Sequence, residues 1–365
     1  MLWNTMKRYI SLILVTLLVA ISAEAQEMTQ RQNFNHNDLR YYGISLSGDI
    51  ASITITHSYD NRKSREVTYK FNAEGDVTEM WGDSFGVYDS DKRVYLYDES
   101  GNTSEILCYY HNELVSRYVD IYDAEGREIE HAAYNADDTL TSKTTTKYDE
   151  QGRKTKRIER DYDDQISQSS EYLYDDRGNL AEFAKYDNTD GEVLVKEIYR
   201  YDSDGELAVK EIYGYNGVLQ VKFAKDKIVE EGKTLMRWTT YHYFDDGSIF
   251  MLKRSVYDDK MLLREESYMD DALTNRDVYE YDAEQRVTRV ASLSYGRELT
   301  REKLYRYDND GRRVEMIERD GNGSLKRREL YTYDSKGNVI EFETFDYVNM
   351  PSEHAVSKYE IIYRE

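Results

Sequence analysis

The sequence predicts an all-β fold of tandem β-hairpin repeats that form a long antiparallel meander, open and twisted or curled into a partial shell. Three observations support this prediction. A block of an aromatic residue, Asp or Asn, two variable residues and Gly recurs about every 26 residues. Looser turn motifs fall halfway between the blocks, and the segments between turns alternate in polarity. The 365-residue chain contains 36 tyrosines, whereas disordered chains are poor in aromatic residues.

Each block predicts a tight hairpin turn. The Asp accepts hydrogen bonds from backbone N–H groups two residues further on, and the Gly takes the left-handed conformation that follows a type I turn. Counted between the aromatic residues of successive blocks, the spacings are 26, 25, 26, 26 and 27 from Phe71 to Tyr201 and 26 and 26 from Tyr281 to Tyr333. In the Tyr281 block the glycine is replaced by Gln285. The predicted turn residues are Asp98 and Gly101, Asp123 and Gly126, Asp149 and Gly152, Asp175 and Gly178, Asp202 and Gly205, Asp308 and Gly311, and Asp334 and Gly337.

Tyrosines precede most of these turns and predict an aromatic ladder along one edge of the sheet. Pairs such as Tyr172 and Tyr174 are two residues apart and therefore share a face of the sheet. Cross-strand pairs of this kind contribute roughly 0.2–1 kcal/mol each. The ladder is either packing that stabilises the sheet or a ligand surface, since aromatic faces also stack on sugars and anchor protein partners. Its members are Tyr97, Tyr174, Tyr201, Tyr281, Tyr307 and Tyr333.

The start of the chain predicts an export signal. A short basic stretch and an apolar run precede small residues at Ala23 and Ala25, which mark a signal-peptidase site before Gln26. The apolar run is shorter than the roughly 20 residues that span a bilayer. We therefore expect export to the periplasm, the cell surface or the medium, and no transmembrane segment in the mature chain.

These observations divide the chain into three parts. The signal peptide is expected at 1–25 and a leader at 26–43. The hairpin array is expected at 44–365, with degenerate repeats at 216–270. We expect the hairpin near 44–56 and the strand near 358–363 to cap the two ends of the sheet, since a free strand edge invites pairing with other chains.

Charge and residue content exclude several functional classes. The net charge of -22 opposes binding to nucleic acids and to anionic membrane surfaces. The single cysteine, Cys108, rules out an intramolecular disulfide. The run Asp202-Ser203-Asp204-Gly205 resembles the start of a calcium loop but lacks the downstream Glu and the flanking helices, so we interpret it as a turn. We predict no catalytic residues, no metal site and no cofactor, because no nucleophile, base and orienting group occur in a recognisable pattern.

Two blocks point to a family. Tyr174-Asp175-Asp176-Arg177-Gly178-Asn179-Leu180 and Tyr307-Asp308-Asn309-Asp310-Gly311-Arg312 resemble YD repeats of the Rhs type. The chain is similar, over about residues 44–363, to small exported YD-repeat proteins of Gram-negative bacteria without a toxin domain. In large Rhs toxins such repeats form a β-shell around a toxin. The resemblance thus implies an architecture and no particular activity. A weaker likeness to MORN-type repeats rests on Tyr215-Asn216-Gly217.

Together these features predict an exported, non-enzymatic binding or scaffold protein of the cell envelope or surface. It would present an acidic, tyrosine-rich repeat surface to an envelope protein or a polysaccharide of unknown identity. The alternative is a carbohydrate-binding module that uses the tyrosine ladder.

Overall fold

The computed structural model describes residues 46–60, 62–82, 91–188, 191–348 and 353–364. The prediction of an all-β protein is confirmed, because the described residues form 24 antiparallel strands of 6 to 12 residues in one sheet. The predicted signal peptide, with Ala23, Ala25 and Gln26, and the predicted leader lie outside the described residues. The strands are β1 Ile50–Tyr59, β2 Arg62–Phe71, β3 Val77–Gly82, β4 Lys92–Tyr97, β5 Thr103–Tyr110, β6 Glu113–Tyr122, β7 Glu128–Asn135, β8 Leu140–Tyr148, β9 Lys154–Arg160, β10 Ile166–Tyr174, β11 Leu180–Asp187, β12 Val193–Tyr201, β13 Leu207–Gly214, β14 Leu219–Glu230, β15 Lys233–Tyr243, β16 Ile249–Asp258, β17 Met261–Met269, β18 Ala272–Tyr281, β19 Val287–Ser294, β20 Glu298–Tyr307, β21 Arg313–Asp320, β22 Leu325–Tyr333, β23 Val339–Asp346 and β24 Glu353–Tyr363.

The sheet is a closed barrel, so the prediction of an open or partly curled sheet is wrong. Each strand pairs with its neighbours in sequence, and β1 also pairs with β24, with Ile53 opposite Ile361 and Tyr59 opposite Ala355. The two segments that we expected to act as separate caps are thus partners of each other. Closure satisfies the backbone N–H and C=O groups that two free edges would expose.

A buried amide reinforces the closure. Asn338, which is 0% exposed, accepts a hydrogen bond from the backbone N–H of Ser47 at 2.5 Å and donates one to the Ser47 carbonyl at 2.8 Å. It also donates to the hydroxyl of Tyr363 at 2.6 Å. The Arg364 guanidinium forms an ion pair with the Asp49 carboxylate beside this junction. The contacts with Ser47 and Asp49 join residues that are about 300 positions apart in sequence.

The main hydrophobic core lies at the same junction. Ten buried side chains come from the first four strands and the segment just before them, and partly buried Tyr359, Ile361 and Tyr363 of β24 pack against them. Within the strands burial alternates: Tyr95 is 5% exposed, whereas the adjacent Leu96 is 40% exposed. The tyrosine pairs therefore occupy the more protected face. The core residues are Leu46, Ile50, Ile53, Ile55, Val67, Tyr69, Phe71, Val77, Met80 and Tyr95.

The closed barrel has two rims, one at each end of its strands, and we name each rim by the turns that it carries. The Asp-Gly rim carries the predicted Asp-x-x-Gly turns, for example between β8 and β9. The far rim carries the turns that fall halfway between them, for example between β9 and β10.

The segment with degenerate repeats keeps the hairpin architecture but changes its turns. β14 and β15 are 12 and 11 residues long and are joined by Glu231-Gly232, where both residues have positive φ. A two-residue loop with this backbone matches the twist of the flanking strands. Asp270-Asp271 forms the same kind of loop on the far rim. The repeat motif is therefore lost there while the meander continues.

Candidate functional site

The Asp of each block organises its turn through one carboxylate oxygen. At Asp149, Oδ1 accepts hydrogen bonds from the backbone N–H groups of Gln151 at 3.0 Å and Arg153 at 2.9 Å. The Gly152 N–H donates to the Asp149 carbonyl at 3.0 Å, and Gly152 has a φ of +79°. A Cβ is strained in that backbone conformation, which explains the glycine.

The second carboxylate oxygen binds the residue four positions after the Asp. In four turns this residue is an arginine, and its Nε donates to the Asp at 2.7 Å. At Asp123 burial acts to raise the pKa, but the hydrogen bonds and charge of Arg127 hold the pKa of this carboxyl below its usual value. The four pairs are Asp123 and Arg127, Asp149 and Arg153, Asp282 and Arg286, and Asp308 and Arg312.

A tyrosine ends each of these strands just before it enters a turn of the Asp-Gly rim. Its hydroxyl donates a hydrogen bond to the start of the strand that leaves the preceding turn of the same rim. The hydroxyl of Tyr174 donates to the carbonyl of Lys154, the first residue of β9, at 2.8 Å. The same bond recurs at distances of 2.6 to 3.0 Å. It involves Tyr97, Tyr122, Tyr148, Tyr174, Tyr201, Tyr281, Tyr307 and Tyr333.

The turn arginines also cover the tyrosine rings. Arg153 of one turn lies over the ring of Tyr174, which begins the next turn, with its guanidinium carbon 4.4 Å from the ring centroid. Equivalent contacts place Arg127 over Tyr148, Arg286 over Tyr307 and Arg312 over Tyr333, each at 4.8 or 4.9 Å. We call this unit of Asp, Arg and the next tyrosine the turn clasp.

All six predicted ladder tyrosines therefore lie on the Asp-Gly rim with their hydroxyls bonded to backbone carbonyls. An arginine contacts the ring at Tyr174, Tyr307 and Tyr333. Burial raises the pKa of Tyr174 and Tyr201. Ladder and turn residues thus form one repeated unit rather than a localised pocket.

One interruption of the clasp leaves a shallow cleft. Asn179 occupies the position after Gly178 where other turns have arginine, and it donates to Asp175 instead. A cleft of about 300 Å³ lies beside this turn and is lined by Arg177, Tyr199, Tyr201 and Ser203. It is open to solvent, and Arg177 spans it with weak bonds of 3.3 and 3.4 Å to the carbonyls of Ser203 and Asp202.

A histidine and an aspartate form a close pair on β6 and β7 that sequence analysis missed. The Nδ1 of His131 lies 2.5 Å from Oδ1 of Asp120, and the ring stacks on Tyr118 at 5.8 Å. The hydrogen bond with Asp120 raises the pKa of His131, although burial opposes this. Asp120 and His131 sit opposite each other on adjacent strands, but nothing in the sequence spacing marks them as partners.

Within the described ranges, no group of three or more His, Cys, Asp or Glu side chains is arranged to hold a metal ion. The part of the chain that the structure describes also contains no helix that is long and apolar enough to cross a membrane. Cys108 is buried, and burial raises the pKa of its thiol.

Comparisons with known proteins give distant similarities of fold. The sequence matches no family model and no curated protein. The Tc holotoxin pore of Photorhabdus luminescens is 12% identical, with a TM-score of 0.31, over 79% of this chain and 18% of that chain. A porin-like protein from Bacteroides uniformis is 10% identical, with a TM-score of 0.26, over 86% of this chain and 96% of that chain. The chain therefore spans less than a fifth of the Tc chain, and at these scores neither similarity informs on activity or ligand.

Sequence reasoning missed two further sets of residues. The clasp arginines carry a signal in the sequence, since they follow the glycine in several blocks. Tyr122 and Tyr148 lack a tyrosine two residues earlier and were not assigned to the ladder, although they occupy the same place.

Proposed function

We propose that the mature chain is an exported, non-enzymatic binding or scaffold protein of the cell envelope or surface. The closed barrel is the observation that carries this proposal. Pairing of β1 with β24 removes both free edges, and repeated clasps fix the turns of one rim. Such a frame holds a wide surface in place, and the cleft beside Arg177 is shallow and open to solvent. This suits contact with a large partner better than enclosure of a small substrate.

The charge of the surface indicates the mode of contact. The chain carries 71 acidic and 49 basic residues, and exposed acids such as Glu99, Glu150 and Asp176 project from the Asp-Gly rim turns. An acidic surface attracts partners that offer cationic or hydroxyl groups and repels anionic ones. We therefore expect a partner with complementary groups in the envelope.

The alternative, a carbohydrate-binding module on the tyrosine ladder, has less support from the geometry. Stacking on a sugar needs an accessible ring face, but Arg153, Arg286 and Arg312 cover rings of the ladder. The ladder hydroxyls are already bonded to backbone carbonyls. We assign these tyrosines to the frame.

The proposal is tested by expressing the tagged full chain in a Gram-negative host, followed by capture. We expect cleavage before Gln26 and recovery of the chain in the envelope or the medium. The captured chain should also retain a partner from an envelope extract of the source organism, and this retention should weaken at high salt. The variant with Glu99→Gln, Glu150→Gln and Asp176→Asn should weaken electrostatic capture while leaving the clasps intact. An uncleaved chain in the cytoplasm, or no specific partner at low salt, would contradict the proposal.

A further inference from the structure

The exposed aromatic side chains are distributed unequally between the two rims. Seven aromatic side chains among the described residues are strongly exposed, and all seven lie in or next to turns of the far rim. The most exposed are Tyr162 at 69%, Tyr215 at 69% and Tyr295 at 70%. The full set is Tyr59, Tyr110, Tyr162, Tyr215, Phe244, Tyr295 and Tyr347. On the Asp-Gly rim the ladder tyrosines are half-buried, and their hydroxyls are bonded to backbone carbonyls.

Turn geometry does not explain this asymmetry. The far-rim turn from Asp161 to Gln165 has the same bonds as an Asp-Gly rim turn: Asp163 and Gln165 donate N–H groups to Asp161 Oδ1, both at 3.0 Å. Its second position is Tyr162, whereas the equivalent position of the Asp149 turn is Glu150. The same turn therefore forms with an acidic residue there, and the aromatic ring is not needed for folding.

Tyr295 adds a second, independent observation. It has a φ of +48° in the three-residue loop that it forms with Gly296 and Arg297. A bulky residue is unfavourable in this conformation, which Asn, Asp or Gly adopts more readily. A strained side chain that is 70% exposed is a mark of function rather than of stability.

We propose that the far rim is a binding surface for a neutral polysaccharide chain, with Tyr162, Tyr215 and Tyr295 as its stacking platforms. Sugar rings stack on exposed aromatic faces, and the turns hold these rings on a rigid frame. The exposed carboxylate of Asp163, which follows Tyr162 in the same turn, can accept hydrogen bonds from sugar hydroxyls. This inference rests on the proposed binding function and names its ligand class and surface.

Other occupants fit the far rim less well. Acidic turns repel an anionic lipid surface, and they repel a second copy of a chain with a net charge of -22. A protein partner favours a contiguous apolar centre with clustered hot spots. The far-rim rings are instead separated by polar turns, with Tyr162 and Tyr215 four strands apart, which is about 20 Å along the rim.

This spacing predicts that the ligand must be a polymer. A mono- or disaccharide cannot contact two platforms, whereas a long chain engages several at once and gains from effective concentration. We expect polysaccharide to bind about a hundredfold more tightly than its own short oligosaccharides, or better.

The test is affinity electrophoresis of the full chain in native gels that contain an α-glucan, a β-glucan, a mannan or a galactan. We expect at least one of them to retard the protein. The triple variant Tyr162→Ala, Tyr215→Ala and Tyr295→Ala should lose about tenfold or more of this affinity, because contributions of separate contacts multiply. The corresponding triple Phe variant keeps the rings and should retain binding.

A matched control removes exposed apolar side chains near the other rim. The triple variant Leu96→Ala, Ile121→Ala and Leu173→Ala should bind like the wild type, with circular dichroism and melting temperature checked for every variant. The inference is overturned if no polysaccharide retards the wild type, or if the triple Ala variant of the tyrosines binds unchanged. It is also overturned if the tyrosine variant loses only an envelope protein partner. If salt-sensitive envelope capture persists without polysaccharide binding, the inference fails while the proposed function stands.

Discussion

Removal of the Tyr174 hydroxyl should loosen the barrel locally at one clasp. Tyr174→Phe deletes the 2.8 Å hydrogen bond to the Lys154 carbonyl but leaves the ring beneath Arg153. A hydrogen bond of this kind contributes about 1 kcal/mol net, and more where the abandoned carbonyl is shielded from water. We therefore expect the free energy of local opening around β9 and β10 to fall by about 1 kcal/mol.

Hydrogen exchange measured by mass spectrometry is the suitable assay, because a long repeat array need not unfold in a single step. A loss of about 1 kcal/mol corresponds to about fivefold faster exchange in peptides that cover β9 and β10. Peptides from the opposite side of the barrel should exchange as in the wild type. The matched control is Tyr162→Phe, whose ring is 69% exposed and whose loss of a hydroxyl should change nothing. Equal exchange in Tyr174→Phe and the wild type would refute the assignment of this tyrosine to the clasp.

Three further changes probe other parts of the frame. Gln285 has a φ of +63° at the position where other turns have glycine. Gln285→Gly should therefore stabilise the protein by about 0.5–1 kcal/mol and raise its melting temperature. A lower melting temperature would contradict the argument that Gln285 is strained. The pKa of His131 is raised in the folded state. Its contribution to the stability of the folded state is therefore fully present below the unfolded pKa and is lost as pH rises through the folded pKa. After correction for the intrinsic pH dependence of exchange, the amides of β6 and β7 should therefore be better protected at pH 6 than at pH 8. His131→Gln should abolish this difference in protection. Asn338→Ala removes both hydrogen bonds between this side chain and the Ser47 backbone, which should cost about 1–3 kcal/mol and speed exchange in β1 and β24. Unchanged exchange there would argue against the junction.

The turns were predictable because their chemistry is local. The side chain of Asp149, two intervening residues and Gly152 determine a hairpin whatever the rest of the chain does. The alternation of tyrosines, as in Tyr172 and Tyr174, likewise specified which residues share a face.

Closure was not predictable from the same signals. Whether 24 strands form an open sheet or a barrel depends on twist summed over the whole array and on pairing between β1 and β24, which no local motif encodes. Asn338 resembles any other residue after a turn glycine, and only its contact with Ser47 shows its role.

The exposed aromatics illustrate a different limit. Tyr162 and Tyr215 appear in the sequence as ordinary members of a tyrosine-rich chain. They differ from Tyr174 because they lie on the far rim. This difference in position is defined only once the strands are placed. The Glu231-Gly232 loop of the degenerate segment is likewise not apparent from the sequence, because it lacks the Asp-x-x-Gly motif.

The direct test of the closed barrel is a disulfide across the seam between its first and last strands. Thr54 and Glu360 are opposite each other in the pairing of β1 with β24. A variant with Thr54→Cys and Glu360→Cys, with Cys108→Ala to remove the native thiol, should form an intramolecular disulfide on mild oxidation. It should then migrate faster in non-reducing denaturing gels, because the cross-link closes a loop of about 300 residues. A variant with Thr54→Cys and Glu182→Cys, which places the second cysteine on β11, should not cross-link. Free thiols in the first variant, or disulfides only between molecules, would contradict a barrel closed by β1 and β24.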